Sequence, residues 1–259
     1  MKGDSIRSWE RYVWPLLAVV LLLLFWDAAV RWSGTHVFPS PGKVQRGLLE
    51  LLQKGLFFQY VGDSLFRVAS GYLLAAGLGI PAGLLLGWYP SAAYTANPAI
   101  QMMRPISPLA WIPLAVIWFG TGDAAAIFLI FLSSFFPIVV STMTGVRNVP
   151  PMYRQAGRNF GLTSAALLRR VILPAILPQI LVGLRIALGV AWLVIVAAEM
   201  LAVTSGLGYL VLDSRNAGQR YDLVVAGMLL IGVVGLMMDI LMRRLERWKS
   251  VRWGFRYET

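Results

Sequence analysis

Six apolar runs recur along this chain, at about 13–30, 65–88, 100–119, 124–146, 176–198 and 223–242. A bilayer core about 30 Å thick is crossed by roughly 20 helical residues, and each run is near that length. The chain is 58% hydrophobic and 14% charged over 259 residues, more apolar surface than a soluble domain of this size could hide. The expected fold class is an all-α integral membrane protein with about six transmembrane helices. The third run stands apart, because Pro105, Pro108 and Pro113 interrupt it. Freed backbone groups at such prolines need protein or water as partners, so this run is expected to face protein or a pathway rather than lipid.

Charge gives the orientation. With the N-terminus inside, fifteen of the 23 Lys and Arg residues count toward the inside and seven toward the outside, with Arg104 and Arg67 counted with the inside and outside segments nearest them and Arg185 left within a span. Lys and Arg are retained on the cytoplasmic side. The expected organisation is therefore a cytoplasmic segment at 1–12, a transmembrane domain at 13–242 with a cytoplasmic loop at 150–174, and a basic cytoplasmic tail at 243–259. The net charge of +11 then reflects membrane topology, and no nucleic-acid partner is expected. Arg31 and Trp32 follow the first run where a signal peptide would need small residues, so that run reads as a retained span. Beyond it, turn-forming residues 38–42 lead into an expected amphipathic helix at 43–58, with Val44, Leu48, Leu51 and Leu52 on its apolar stripe.

Enzymatic chemistry finds no support. The chain has no cysteine and one histidine, His36, which removes thiolate chemistry and any histidine cluster. It has no Walker A sequence and no nucleophile constellation. No catalytic residue, metal ligand or bound cofactor is expected.

The segment from Tyr153 to Pro174, YRQAGRNFGLTSAALLRRVILP, separates the fourth and fifth runs. Pro150 and Pro151 suit a helix start, and a short helix at 152–160 is expected. Gly161 then breaks it and permits a left-handed turn. Thr163 or Ser164 caps a second helix at 165–170, and Pro174 lets the chain bend into the fifth span. The product is a helix–turn–helix knob.

This segment resembles the EAA loop of bacterial ABC importer permeases, whose pattern is Glu-Ala-Ala, three residues, Gly, nine residues, Ile, one residue, Leu-Pro. Gln155, Ala156 and Gly157 take the triplet, Gly161 the glycine, Val171 the isoleucine, and Leu173-Pro174 the end. Gln155 stands in place of the acid and Gly157 in place of the second alanine. The likeness extends to 103–120 (MRPISPLAWIPLAVIWFG), 135–137, 145–147, 176–192, 198–199 and 206–208, which are similar to the nitrate/sulfonate/taurine branch of these binding-protein-dependent permeases. The resemblance implies a type I ABC importer (MetI-like) fold with cytoplasmic coupling helices, in the bacterial inner membrane. It implies a permease subunit for a small anion such as nitrate, an alkanesulfonate or taurine. Its implied partners are a second copy of itself, two cytoplasmic ABC ATPases that carry the ATP and Mg, and a periplasmic or extracellular binding protein. The ATPase-coupling residues it implies are Tyr153, Gln155, Ala156, Gly157, Phe160, Gly161, Leu162, Leu173 and Pro174.

The pathway candidates are Pro105, Ser107, Pro108, Trp111, Arg185 and Glu199. A charge at mid-membrane costs about 2.5–3.5 kcal/mol by insertion scales, so Arg185 requires a reason. It either lends positive potential to an anion path or pairs structurally with a carboxylate or backbone carbonyls. Glu199 either fixes an outer gate or caps the turn at 204–208. A direct Arg185–Glu199 pair would have to be made across helices, because fourteen residues separate them by about 21 Å along one helix. The backbone around Pro105, Ser107, Pro108 and Trp111 either opens onto a path or forms a packing kink. Gly71, Gly77, Gly79, Gly83 and Gly87 read as close helix packing. The rival reading is an ion-coupled secondary transporter without an ATPase; such folds usually carry inverted repeats, and none is visible here. A membrane enzyme would need a catalytic cluster, and an ABC exporter lacks this loop pattern.

Overall fold

The computed structural model describes residues 10–34 and 38–246; the expected segment before residue 10, His36 and the tail beyond Glu246 lie outside them. Among the described residues every regular element is helical. The α-helices are α1 (Glu10–Ser33), α2 (Pro41–Gln53), α3 (Leu56–Trp88), α4 (Pro90–Met103), α5 (Ile112–Phe119), α6 (Asp123–Arg147), α7 (Pro151–Asn159), α8 (Ser164–Leu167), α9 (Leu173–Leu201), α10 (Leu207–Gly218) and α11 (Tyr221–Glu246). A 3-10 turn, Pro108–Trp111, precedes α5, and a π segment, Leu168–Ile172, joins α8 to α9. Five helical stretches are long and apolar enough to cross a bilayer, and a sixth crossing results if the bent pair Pro90–Met103 and Pro108–Phe119 is one span.

Helix limits depart from the apolar runs where breakers sit. The amphipathic helix expected at 43–58 stops at Gln53. Gly55 takes φ 71° and donates its N–H to Leu52 O at 3.1 Å, a left-handed turn that glycine accepts readily. Phe57 and Phe58 therefore belong to α3. That helix has 33 residues, about 50 Å at 1.5 Å per residue, and starts well before Leu65.

The third span begins at Pro90 rather than Ile100 and bends by 85° between Met103 and Pro108. Pro108 has no N–H to give the Arg104 carbonyl, so the helix cannot continue. Ser107 restarts it, its Oγ accepting from Leu109 N–H at 3.3 Å. Pro113 lies in the first turn of α5, where no donor is required.

Residues cluster into two units, Met1–Gln59 with Leu210–Leu229, and Tyr60–Tyr209 with Leu230–Thr259. In the first, α1 is apolar on every side and exposes Leu16, Leu22 and Phe25, as a helix in lipid does. Also in that unit, Arg220 Nη2 donates to Glu50 Oε2 at 2.6 Å and to Asp222 Oδ2 at 2.8 Å. The neighbouring Gly47 lies close to Leu223, leaving 3.2 Å to its Cδ2 for an added Cβ.

In the second unit α6 is the central helix. Lipid is as apolar as leucine, so close packing rather than water exclusion drives association there. Glycines supply that closeness: an added Cβ would lie 2.7 Å from Ile130 Cβ at Gly71, 3.1 Å from Ile138 Cγ2 at Gly79, 2.6 Å from Thr142 Cβ at Gly83 and 2.5 Å from Val146 Cβ at Gly87. Gly77 differs, with nothing within 4 Å. On another face, Gly183 of α9 closes on Ser141 and Gly145 of α6 on Gln179. At the α6 end nearest α7, Val146, Val149, Ile172, Ile176 and Ile180 form a buried cluster.

Candidate functional site

The 150–174 loop is built from the backbone outward. In α7, Phe160 donates its N–H to Ala156 O at 3.0 Å, Gly161 to Arg158 O at 2.9 Å and Leu162 to Gly157 O at 3.1 Å. Gly161 has φ 74°, so the turn is a Schellman C-cap that uses glycine for its left-handed residue. Thr163 caps α8, its Oγ1 accepting from Ala166 N–H at 3.4 Å. The helix is not interrupted at Pro174. Leu173 donates its N–H to Leu168 O, the i→i−5 hydrogen bond of a π-helix, and the helical path runs unbroken from Ser164 to Leu201.

Two contacts hold the knob to the spans. Arg154 Nη2 donates to Val146 O at 2.7 Å, satisfying a carbonyl at the end of α6 that helix geometry leaves free. Its guanidinium also lies over the Trp88 ring at 5.8 Å, within cation–π range. Gly157 is buried between α7 and α8, and an added Cβ would strike Leu167 Cδ1. That contact gives the physical reason for glycine where the EAA pattern has alanine. The outer surface of the knob is apolar at its tip: Phe160 is 86% exposed and Tyr153 49%. Gln155, Ala156, Gly161 and Pro174 are exposed, while Leu162 and Leu173 are half-buried.

A cavity of about 490 Å³ opens between the α4–α5 bend, α6 and α9. Pro108 and Trp111 line it, with Arg104, Ser133, Pro137, Ser141, Thr144 and Gln179. Along α6 its wall runs from Leu132 to Thr144, about 18 Å of helix. Pro137 has no N–H for the Ser133 carbonyl, which leaves a backbone acceptor beside this space. Ser141 Oγ donates to Gln179 O at 2.8 Å, tying the two walls together.

The other pathway candidates lie elsewhere. Pro105 and Ser107 are exposed on the bend and are not among the residues lining the cavity. Arg185 points to the opposite side of α9. Its Nε donates to Asp239 Oδ1 at 2.9 Å, and its Nη1 reaches Glu246 Oε2 at 3.4 Å. Glu199 is fully buried and accepts from Gly208 N–H at 2.9 Å, from Ser64 Oγ at 2.8 Å and from Arg67 Nη1 at 2.8 Å. Glu199 thus caps the start of α10 and pairs across helices with Arg67, while Arg185 has its own carboxylates.

Residues 79–251 match the family described as "Binding-protein-dependent transport system inner membrane component". The chain belongs to this family. The permease is also 35% identical over 254 residues to the taurine transport system permease protein TauC of Escherichia coli K12, which covers 92% of this chain and 91% of TauC. It is 40% identical over 264 residues to the bicarbonate transport system permease protein CmpB of Synechococcus elongatus, covering 95% of this chain and 94% of CmpB. Its fold is similar to that of a chain of the MetNI methionine ABC transporter in an inward-facing conformation, with TM-score 0.66 at 19% identity over 79% of this permease and 98% of that chain. It is thus an ABC transporter permease with the type I importer fold, and its relatives are transport permeases rather than enzymes.

The polar wall of the cavity escaped sequence reasoning. Its signal was present in the permease sequence: Ser133, Ser141 and Thr144 recur at spacings of eight and three on one face of a largely apolar helix. Gln179 gave no comparable signal, because its nearness to that face depends on the fold, and Arg104 stood out only as an arginine within the third apolar run.

Proposed function

We propose that this permease is the transmembrane subunit of an ATP-driven importer of a small anion, delivered to its outer face by a binding protein. One observation carries the mechanical part. The second helix of the knob, α8, runs into α9 as one continuous helix, Ser164–Leu201, and α9 forms a wall of the 490 Å³ cavity. A push on α7, which packs on α8 through Gly157 and Leu167, is therefore transmitted along this continuous helix to that wall. In this reading α7 and its turn dock on one of two cytoplasmic ATPases, which carry the ATP and Mg. A second copy of the chain completes the pathway, and rocking of α9 alternates access. Both termini and the knob lie in the cytoplasm, consistent with the bias of Lys and Arg. The anion reading draws on the taurine and bicarbonate transport named for TauC and CmpB.

Reconstitution tests this reading. Proteoliposomes holding the permease with its ATPase and binding protein should accumulate radiolabelled taurine or bicarbonate only when ATP is present. Uptake by the permease alone, driven by an ion gradient, would instead establish the secondary-transporter reading.

A further inference from the structure

Three arginines interrupt the apolar runs: Arg67, Arg104 and Arg185. Two are neutralised within the fold. Arg67 pairs with Asp123 and Glu199, and Arg185 with Asp239 and Glu246. Arg104 has no carboxylate partner among the described residues, and it lines the cavity. Among the described residues no Asp or Glu lines that cavity, so its formal charge comes from Arg104. Arg104 is exposed, and a single uncompensated charge beside low-dielectric walls raises the local potential for an anion in the space they border.

The surrounding polar groups suit an anion's oxygens. Arg104 closes the last turn of α4, its backbone N–H donating to Ile100 O, at the helix end where a cation is favoured. Its guanidinium offers a planar fork of donors that matches a sulfonate or carboxylate. Across the cavity, the Gln179 carboxamide nitrogen makes only a 3.5 Å contact to Ser141 Oγ, which leaves amide donor capacity for a ligand. Thr144, on the α6 wall, adds a hydroxyl. Trp111 and Phe136 supply apolar surface on which a short organic body can rest.

We infer that Arg104, with Gln179 and Thr144, forms an oxyanion-binding site on the translocation path, where the anion rests after leaving the binding protein. This inference rests on the anion-import reading above and adds to it a residue that acts on the cargo. Arg185 carries no such role, since its charge is already paired on the other side of α9.

The test uses the complete complex in proteoliposomes, with radiolabelled taurine and bicarbonate as separate arms. Arg104→Gln should reduce uptake of the transported anion by about tenfold or more, the usual consequence of losing a hydrogen bond to a charged group. It should do so while the complex still assembles with its ATPase and melts as the wild type does. Arg104→Lys should recover part of the rate, since lysine keeps the charge and loses the fork. Wild-type uptake by Arg104→Gln overturns the site. So does a loss of uptake accompanied by failed assembly or a lowered melting temperature, which would make Arg104 structural. A wild-type complex that moves neither anion overturns the import reading and the site with it.

Discussion

Arg67 and Glu199 form a buried ion pair: Nη1 lies 2.8 Å from Oε1, and the side chains are 4% and 0% exposed. Each charge is further satisfied. Glu199 takes Ser64 Oγ and Gly208 N–H, while Arg67 Nε donates to Asp123 at 2.7 Å and Nη1 to Ser205 O at 2.9 Å. Gly206, at φ 102°, leaves no room for a Cβ beside the carboxylate. The network thus joins α3, the start of α6 and the turn from α9 to α10. Removing one member leaves a buried charge without its partner, which costs about 3–5 kcal/mol. Glu199→Ala should therefore lower the melting temperature sharply in detergent. Arg67→Met combined with Glu199→Leu should recover much of that loss, and a double variant no better than the single one would contradict the ion-pair explanation.

The glycines of α3 separate into two kinds. At Gly83 an added Cβ would lie 2.7 Å from the Val139 carbonyl oxygen as well as 2.6 Å from Thr142 Cβ, so relief requires the helices to part. Gly83→Ala is expected to destabilise by about 1–3 kcal/mol, as overpacking does. Gly77→Ala meets nothing and should be neutral or stabilising by about 0.4–1 kcal/mol through the unfolded chain. Melting both variants beside wild type checks the contrast; equal effects would refute it.

Gly157 and Leu167 constrain each other. Leu167 is 1% exposed, so it has little space in which to yield. An alanine at 157 would gain about 0.5–1 kcal/mol of helix propensity against an overpacking cost of about 1–3 kcal/mol. Gly157→Ala should be destabilising overall, and Leu167→Val should relieve it in the double variant more than independent effects allow. Additive melting shifts would show that the two side chains do not compete.

The Glu50 carboxyl lies outside the spans and is pulled from 4.5 down to about 2, chiefly by the hydrogen bond from Arg220 and secondarily by that from Lys54. A depressed carboxylate pKa means stabilisation present above the unfolded value and lost as pH falls through the folded one. The gap in melting temperature between wild type and Arg220→Gln should close as pH is lowered from 4.5 to about 2. Exposed pairs contribute little, so the gap is expected to be small even at neutral pH. A gap that widens on acidification would reverse the sign argued here.

What the sequence made legible were features carried by neighbours in the chain. The apolar runs marked helices, and the prolines at 105 and 108 marked a break. Gly161 marked a turn, because glycine at φ 74° follows from local backbone geometry. Helix starts were less legible. Residues 90–97 are too small and polar to extend an apolar run, yet they are helical. Pairings across long separations were not legible at all. Arg185 finds Asp239 54 positions later, and Arg67 finds Glu199 132 positions later; periodicity carries no such information. The departure at Gly157 was visible, but its reason, Leu167, needed the packed turn.

Docking of the knob on an ATPase is tested most directly at Phe160. This ring is 86% exposed, so Phe160→Ala removes apolar surface offered to a partner without opening a cavity in the fold. Tagged wild type and Phe160→Ala, purified from membranes that also hold the ATPase and binding protein, are compared for retained ATPase, melting temperature and ATP-driven uptake. The expected result is wild-type insertion and melting, with retained ATPase and uptake both falling by about tenfold, within the range for an aromatic hot spot. Wild-type amounts of ATPase together with wild-type uptake would contradict docking through this turn.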